Sequence, residues 1–365
     1  MQKKKSEFYS LDPIHKKGKD CKYYMIFGQR SNGKTYSVEK KILTDYIKTR
    51  KQGAILRRMG EDFKGKRGQS MFADFIPDID EWTGSRYNSI RYFGRKWFLI
   101  KYDESGKIES QDPDPFCYGF AISEQEHDKS TSYPRINTVL FDEFISRTSY
   151  LPDEFVLFMN SLSTIIRNRD TVKIYMLGNT VNKFCPYFKE MGIKHAKDMN
   201  KGDIDIYTYG NSSLRVAVEY ADAAPATRKS ADYFAFDNPK LNMITGGDWE
   251  LDIYPHAPCR FRGNDIKYRF FLEWDDSIFE GDIVKKDKMK FLFFHEKTTP
   301  IKYPDKDLIF SPEYSAKPNR FRSIRKNYNP LVHKIGLMFS ADRVFYQNND
   351  VGDQIKNYLT FCDTL

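Results

Sequence analysis

Residues 28–35 read Gly28-Gln29-Arg30-Ser31-Asn32-Gly33-Lys34-Thr35, a GxxxxGK[ST] segment. No other stretch limits the fold as tightly, because this pattern demands a strand before it and a helix after it. Lys22-Tyr23-Tyr24-Met25-Ile26-Phe27 supplies a buried strand, and Tyr36-Ser37-Val38-Glu39-Lys40-Lys41-Ile42-Leu43 continues as a helix. The two glycines let the backbone curl so that successive N–H groups of the loop point at a β-phosphate. Lys34 can reach the β- and γ-phosphates, Thr35 can ligate Mg²⁺, and the helix N-terminus faces the anion. The alternative is a glycine-rich turn with a surface lysine, which the flanking strand and helix argue against. The segment predicts a site for ATP.

A P-loop needs a second, acidic strand to hold the magnesium. Thr138-Val139-Leu140-Phe141-Asp142-Glu143 supplies it, with Asp142 binding the metal through water and Glu143 polarising the attacking water. The water-activating glutamate separates ATPases from P-loop kinases. A third strand, Val172 to Leu177, runs into Gly178-Asn179-Thr180. Asn179 is there either a γ-phosphate sensor in the central slot of the sheet or part of an ordinary turn. Between these strands, Phe155, Phe158, Met159, Leu162 and Ile166 fall at helical spacing within Leu151–Ile166. That helix runs into Arg167-Asn168-Arg169-Asp170, which reads as a solvated helix end or as an arginine finger.

The alternation of strand and helix from 22 to about 200 predicts an α/β fold with a mostly parallel sheet, of the ATPase (ASCE) type of P-loop NTPase. A chain of 365 residues is long enough for two domains. The expected division is a P-loop ATPase domain over 1–220, a linker over 221–258 and a second domain over 259–365. Inserted β structure is expected over 89–108 and 116–123, and a hairpin over 204–220. Three antiparallel strands are expected at 268–273, 278–284 and 290–295. Lys317, Arg320, Arg322, Arg325 and Lys326 form a basic stretch around Phe321, a nucleic-acid contact or a solvated loop.

Composition excludes several classes. No apolar run approaches the roughly 18 residues of a membrane span, and none of secretory type opens the chain. Cys21, Cys117, Cys185, Cys259 and Cys362 show no metal-ligand spacing and fit reduced thiols in a cytosol. A net charge of +9 permits a polyanionic partner. Glu273, Asp275 and Asp276 cluster at one strand end without acidic positions on the neighbouring strands, so two-metal nuclease chemistry is not expected.

Taken together, these segments resemble the DNA-packaging (encapsidation) ATPases of phi-29-type small tailed phages. The resemblance rests on Gly28 to Thr35, Ile55-Leu56-Arg57-Arg58, and Lys129-Ser130 leading through Tyr133-Pro134 to Leu140-Phe141-Asp142-Glu143-Phe144-Ile145. Arg167-Asn168-Arg169, Gly178-Asn179-Thr180 and Pro186-Tyr187-Phe188 continue it, with matching order and spacing through the first 220 residues. It implies a homo-oligomeric, usually pentameric, ring that drives double-stranded DNA through the portal of an empty capsid, with ATP and Mg²⁺. The resemblance admits a packaging RNA as a further partner without requiring one. It implies a location in the host cytoplasm and at the portal vertex, and no membrane. It also implies a C-terminal RNase H-like domain without nuclease activity. By position, Lys34 and Thr35 bind nucleotide and metal, and Asp142 and Glu143 form the acidic pair. Arg167 is the trans-acting finger and Lys129 a second inter-subunit cation. Gly60 departs from the family, where a basic residue is expected, and shifts the expected DNA grip to Lys64, Lys66 or Arg67. A P-loop nucleotide kinase or a helicase is the alternative reading.

Overall fold

Strand β1 (Tyr23–Gly28) is buried at every position, as a strand covered by helices on both faces must be. Its residues alternate between two cores: Met25 and Phe27 face one, Tyr24 and Ile26 the other. The computed structural model describes residues 9–124, 131–146, 150–222, 254–325 and 329–364. They fall into two units, Met1–Trp249 and Glu250–Leu365. The connector expected over 221–258 lies mostly outside the described residues.

The first unit is built on a 10-stranded sheet. Its strands are β1, β2 (Gln52–Arg57), β3 (Ser89–Phe93), β4 (Lys96–Tyr102), β5 (Ile108–Gln111), β6 (Cys117–Ala121), β7 (Ile136–Asp142), β8 (Lys173–Asn179), β9 (Ile204–Thr208) and β10 (Arg215–Ala221). The spatial order is β3-β4-β6-β2-β7-β8-β1-β10-β9, with β5 on β4. Pairing is parallel from β6 to β10 and antiparallel at both margins. This is a mixed α/β fold with a mostly parallel sheet.

Two helices cover opposite faces. Lys34–Thr49 turns Val38, Ile42 and Tyr46 inward, four residues apart, against the face of Tyr24 and Ile26. Glu154–Ile166 turns Phe158, Leu162 and Ile165 toward Phe27 and Phe141. Fully burying each such side chain stabilises by about 1.5–3 kcal/mol. Strand β8 follows β7 in the chain yet lies between β7 and β1. Its register sets Asn179 beside Gly28 and Leu177 beside Asp142, so three strand ends open on one crevice.

The second unit carries β11 (Ile266–Trp274), β12 (Ser277–Lys286) and β13 (Met289–Glu296) as the expected antiparallel meander. Short parallel strands β14 (Ile309–Phe310), β15 (Arg320–Phe321) and β16 (Val344–Tyr346) extend it in the order β15-β14-β11-β12-β13-β16. Helices Pro330–Ser340 and Asn349–Thr364, which the sequence reading did not anticipate, complete the unit. Asn329 caps the first, its Oδ1 accepting from the backbone N–H of Leu331 at 2.9 Å and Val332 at 3.3 Å.

Candidate nucleotide site

The loop from Gly28 to Lys34 turns on two glycines. Gly28 has φ +150° and Gly33 +91°, conformations a side chain would strain, and Gly33 starts helix Lys34–Thr49 with no side-chain cap. At that helix end the Lys34 backbone N–H donates to Asn32 Oδ1 at 3.3 Å. Ser31, Asn32, Gly33, Lys34 and Thr35 line a cleft of about 340 Å³ together with Asp142, Glu143 and Asn179. The strand order thus brings residues from three separate segments together. Arg30 is exposed at the loop tip, and the Gln29 carbonyl accepts a bond from Lys34 Nζ at 2.6 Å.

Lys34 is only 5% exposed, and burial lowers its ammonium pKa to about 8, with Asp142 pulling the other way. Its Nζ also donates to Asn32 Oδ1 at 3.1 Å. Asn32 Nδ2 is buried without a hydrogen-bond partner.

Thr35 Oγ1 donates to Asp142 Oδ1 at 3.3 Å. Asp142 Oδ2 accepts from Arg57 Nη2 at 2.8 Å, and Arg57 Nη1 lies 3.2 Å from Glu143 Oε2. Arg57, at the end of β2, therefore faces both acidic side chains, a role the sequence reading did not assign. Glu143 has φ +61° and an exposed side chain, so its carboxylate stands at the cleft mouth while Asp142 stays inside. Behind them, burial and the nearby Asp142 hold the Glu39 carboxyl well above the usual carboxylate range.

The neighbouring Arg58 turns the other way. It meets Glu154 through Nε at 2.7 Å and Nη2 at 2.9 Å, and donates to the carbonyls of Glu143 and Phe144 at 3.3 Å. Tyr187 Oη donates to the same Glu154 carboxylate at 2.8 Å. This buried cluster ties the chain after the acidic pair to the start of helix Glu154–Ile166. Arg167 ends that helix, exposed, its φ +49° and its Nη2 on the Thr131 carbonyl at 2.9 Å. It is not among the cleft-lining residues. Arg169 is consumed by the carbonyls of Pro134, Ile136, Ile165 and Ile166. Lys129 lies outside the described residues.

A family profile described as Podovirus DNA encapsidation protein (Gp16) matches residues 3–223. The chain belongs to this family. Its members are DNA-packaging proteins of phages, and so is this chain. The DNA packaging protein of Bacillus phage PZA is 26% identical over 255 residues, 68% of each chain. That of Bacillus phage B103 is 26% identical over 179 residues, 48% of this chain and 49% of its own length. Among solved structures, the Phi-28 gp11 DNA packaging motor gives a TM-score of 0.54 at 17% identity, covering 98% of both chains. The phi-29 viral genome packaging motor assembly gives 0.54 at 17% identity over 95% of this chain and 97% of that one. At such identity these two structures speak for the shared fold.

Two expectations of a DNA contact concern basic residues, one from the resemblance and one from the residues alone. At Gly60 the Glu124 carboxylate, which pairs with Arg95 at 2.8 Å, stands where a Cβ would go, so a side chain at this position would have to displace it. Nearby Lys64, Lys66 and Arg67 are exposed, with Lys64 on Glu61 at 2.6 Å. The basic stretch 317–325 is largely paired. Lys317 meets Asp305, Arg320 meets Glu273, Arg325 meets Asp363, and Arg322 stacks 4.0 Å over Tyr314. Lys326 lies outside the described residues.

One reading of the second unit is corrected. The strand beside β11 does carry acidic positions: Glu280 and Asp282 on β12 are buried, with His295 of β13 at 3.7 and 3.6 Å. They escaped the sequence reading because alternation along β12 disguises them within an apolar strand. Arg269 lies 3.2 Å from Glu280 and 3.1 Å from Asp282, and Lys297 lies 3.7 Å from Glu280, so the two carboxylates already have two cations.

Proposed function

We propose that this chain is an ATP hydrolase that works as one subunit of a homo-oligomeric ring at the portal vertex, driving double-stranded DNA into the capsid. The observation that carries the nucleotide reading is the crevice where β1, β8 and β7 end, with Lys34, Thr35, Asp142, Glu143 and Asn179 drawn from three segments. The donor set fits a magnesium nucleotide. Thr35 and Asp142 offer the hard oxygens Mg²⁺ prefers, and Asn32 Nδ2 is a buried donor with no protein acceptor.

Each residue then has a task. The loop N–H groups and Lys34 bind the phosphates, Thr35 and Asp142 hold the metal, and Asn179 senses the γ-phosphate. Magnesium, when bound, neutralises charge on the phosphates. Glu143 orients and deprotonates the attacking water from the cleft mouth. Arg167 lies away from its own cleft on an exposed helix end, which suits a finger reaching a neighbour's γ-phosphate, and Lys129 assists at that interface. Such fingers contribute about 10³–10⁵ in rate.

In the second unit, an RNase H-like role without cleavage is supported by the salt bridge of Glu273 with Arg320 and by the cations on Glu280 and Asp282. DNA contacts to Lys64, Lys66 and Arg67 would be to the backbone, with affinity falling steeply with salt. The packaging RNA remains a partner of the assembled motor in this reading.

Mixing subunits tests the ring. Arg167→Ala and Glu143→Ala are each expected to be inactive alone. Exchanging mixtures recover ATPase, because a Glu143→Ala subunit still offers its arginine to an intact neighbouring site. Absence of recovery, with exchange verified by wild-type dilution, overturns the trans role.

A further inference from the structure

The P-loop is held from outside by a residue far from the cleft in sequence and absent from its lining. Tyr9 N–H donates to the carbonyl of Asn32 at 2.9 Å, within the loop. The Tyr9 carbonyl accepts from Ser37 Oγ at 2.5 Å, on the first turn of helix Lys34–Thr49. The Tyr9 hydroxyl donates to Glu219 Oε2 at 2.5 Å, on β10. Tyr9 is 6% and Glu219 5% exposed, so the bond between them is shielded from water. One residue thus joins the loop, the helix it leads into and a sheet strand.

What Tyr9 holds is the residue that handles the phosphate-binding lysine. Asn32 Oδ1 accepts from both the backbone N–H of Lys34 at 3.3 Å and its Nζ at 3.1 Å. The Asn32 backbone therefore sets where that oxygen stands. We propose that Tyr9 is a positioning residue for nucleotide binding, acting through Asn32 on Lys34, with Glu219 as its fixed anchor. The inference rests on the nucleotide-site reading above. Burial pushes the Glu219 carboxyl up to about 7, opposed by the Tyr9 bond. The bond survives in either protonation form, because Tyr9 is the donor and Glu219 keeps a free acceptor oxygen.

The test compares full-length wild type with Tyr9→Phe, which keeps the ring but removes the anchor. Ser37→Ala cuts the bond at the other end, and Glu219→Gln still accepts from Tyr9. Binding of the fluorescent probe mant-ADP is titrated, melting temperature is recorded, and ATPase is split into KM and kcat. Tyr9→Phe and Ser37→Ala are expected to weaken mant-ADP binding and raise the ATP KM by about three- to tenfold, the scale of one lost hydrogen bond. Their kcat stays within about twofold, and Glu219→Gln binds like wild type. If Tyr9→Phe does not fold, Ser37→Ala decides alone. Unchanged mant-ADP affinity in the folded variants, whether or not melting drops, overturns the inference and leaves the nucleotide site standing. Wild type that binds no mant-ADP overturns both.

Discussion

Arg57 Nη2 stands 2.8 Å from Asp142 Oδ2, on the oxygen opposite the one that accepts from Thr35. The guanidinium and a magnesium ion would thus draw on the same carboxylate. Removing the guanidinium takes one cation from the neighbouring Asp142 and Glu143 carboxylates, so a divalent ion there has less positive charge to displace. Arg57→Gln is therefore expected to lower the Mg²⁺ concentration that half-saturates nucleotide binding by about three- to tenfold, read by titrating mant-ADP binding with Mg²⁺. An unchanged or higher half-saturation contradicts the competition.

Lys34 supplies a pH dependence with a definite sign. Its pKa in the protein is about 8, below the ordinary lysine value because it is buried. Phosphates favour the charged ammonium and raise that pKa, so above pH 8 binding must take up a proton. Nucleotide affinity should be level below about pH 8 and fall by up to about tenfold per pH unit above it. A dissociation constant that stays flat from pH 7 to 9 removes this role for Lys34.

The Arg58–Glu154 pair is buried on both sides, with side-chain exposures of 15% and 1%. Breaking one side strands a charge, and such losses cost about 3–5 kcal/mol, whereas replacing both partners by apolar residues costs less. Glu154→Gln should lower the unfolding free energy by about 3 kcal/mol in urea titrations, and Arg58→Leu with Glu154→Leu by less. A loss under about 1 kcal/mol for Glu154→Gln would place the pair among exposed, weak contacts.

The cleft-lining loop was legible because its residues are contiguous: Gly28, Gly33, Lys34 and Thr35 lie in one short segment between a strand and a helix, and Asp142-Glu143 closes another strand. Arg57 and Arg58 were visible as residues but not as partners. Their contacts depend on β2 lying beside β7, a register that no local pattern states. The same holds for Arg320 with Glu273 and for Glu280, Asp282 and His295, which meet only across strands. Tyr9 was silent for the same reason, since its partner Glu219 is 210 residues away. Helix Pro330–Ser340 did leave a signal, with Asn329 at its cap and Val332, Ile335 and Met338 three residues apart.

The most direct measurement is the rate of ATP hydrolysis with double-stranded DNA present, comparing wild type with Glu143→Gln. The glutamine keeps the size of the side chain at the cleft mouth but cannot accept the proton of the attacking water. Glu143→Gln should bind mant-ADP within about threefold of wild type yet hydrolyse ATP at least about 10²-fold more slowly. Hydrolysis by Glu143→Gln at near the wild-type rate would contradict the assignment of this crevice as the engine of DNA packaging.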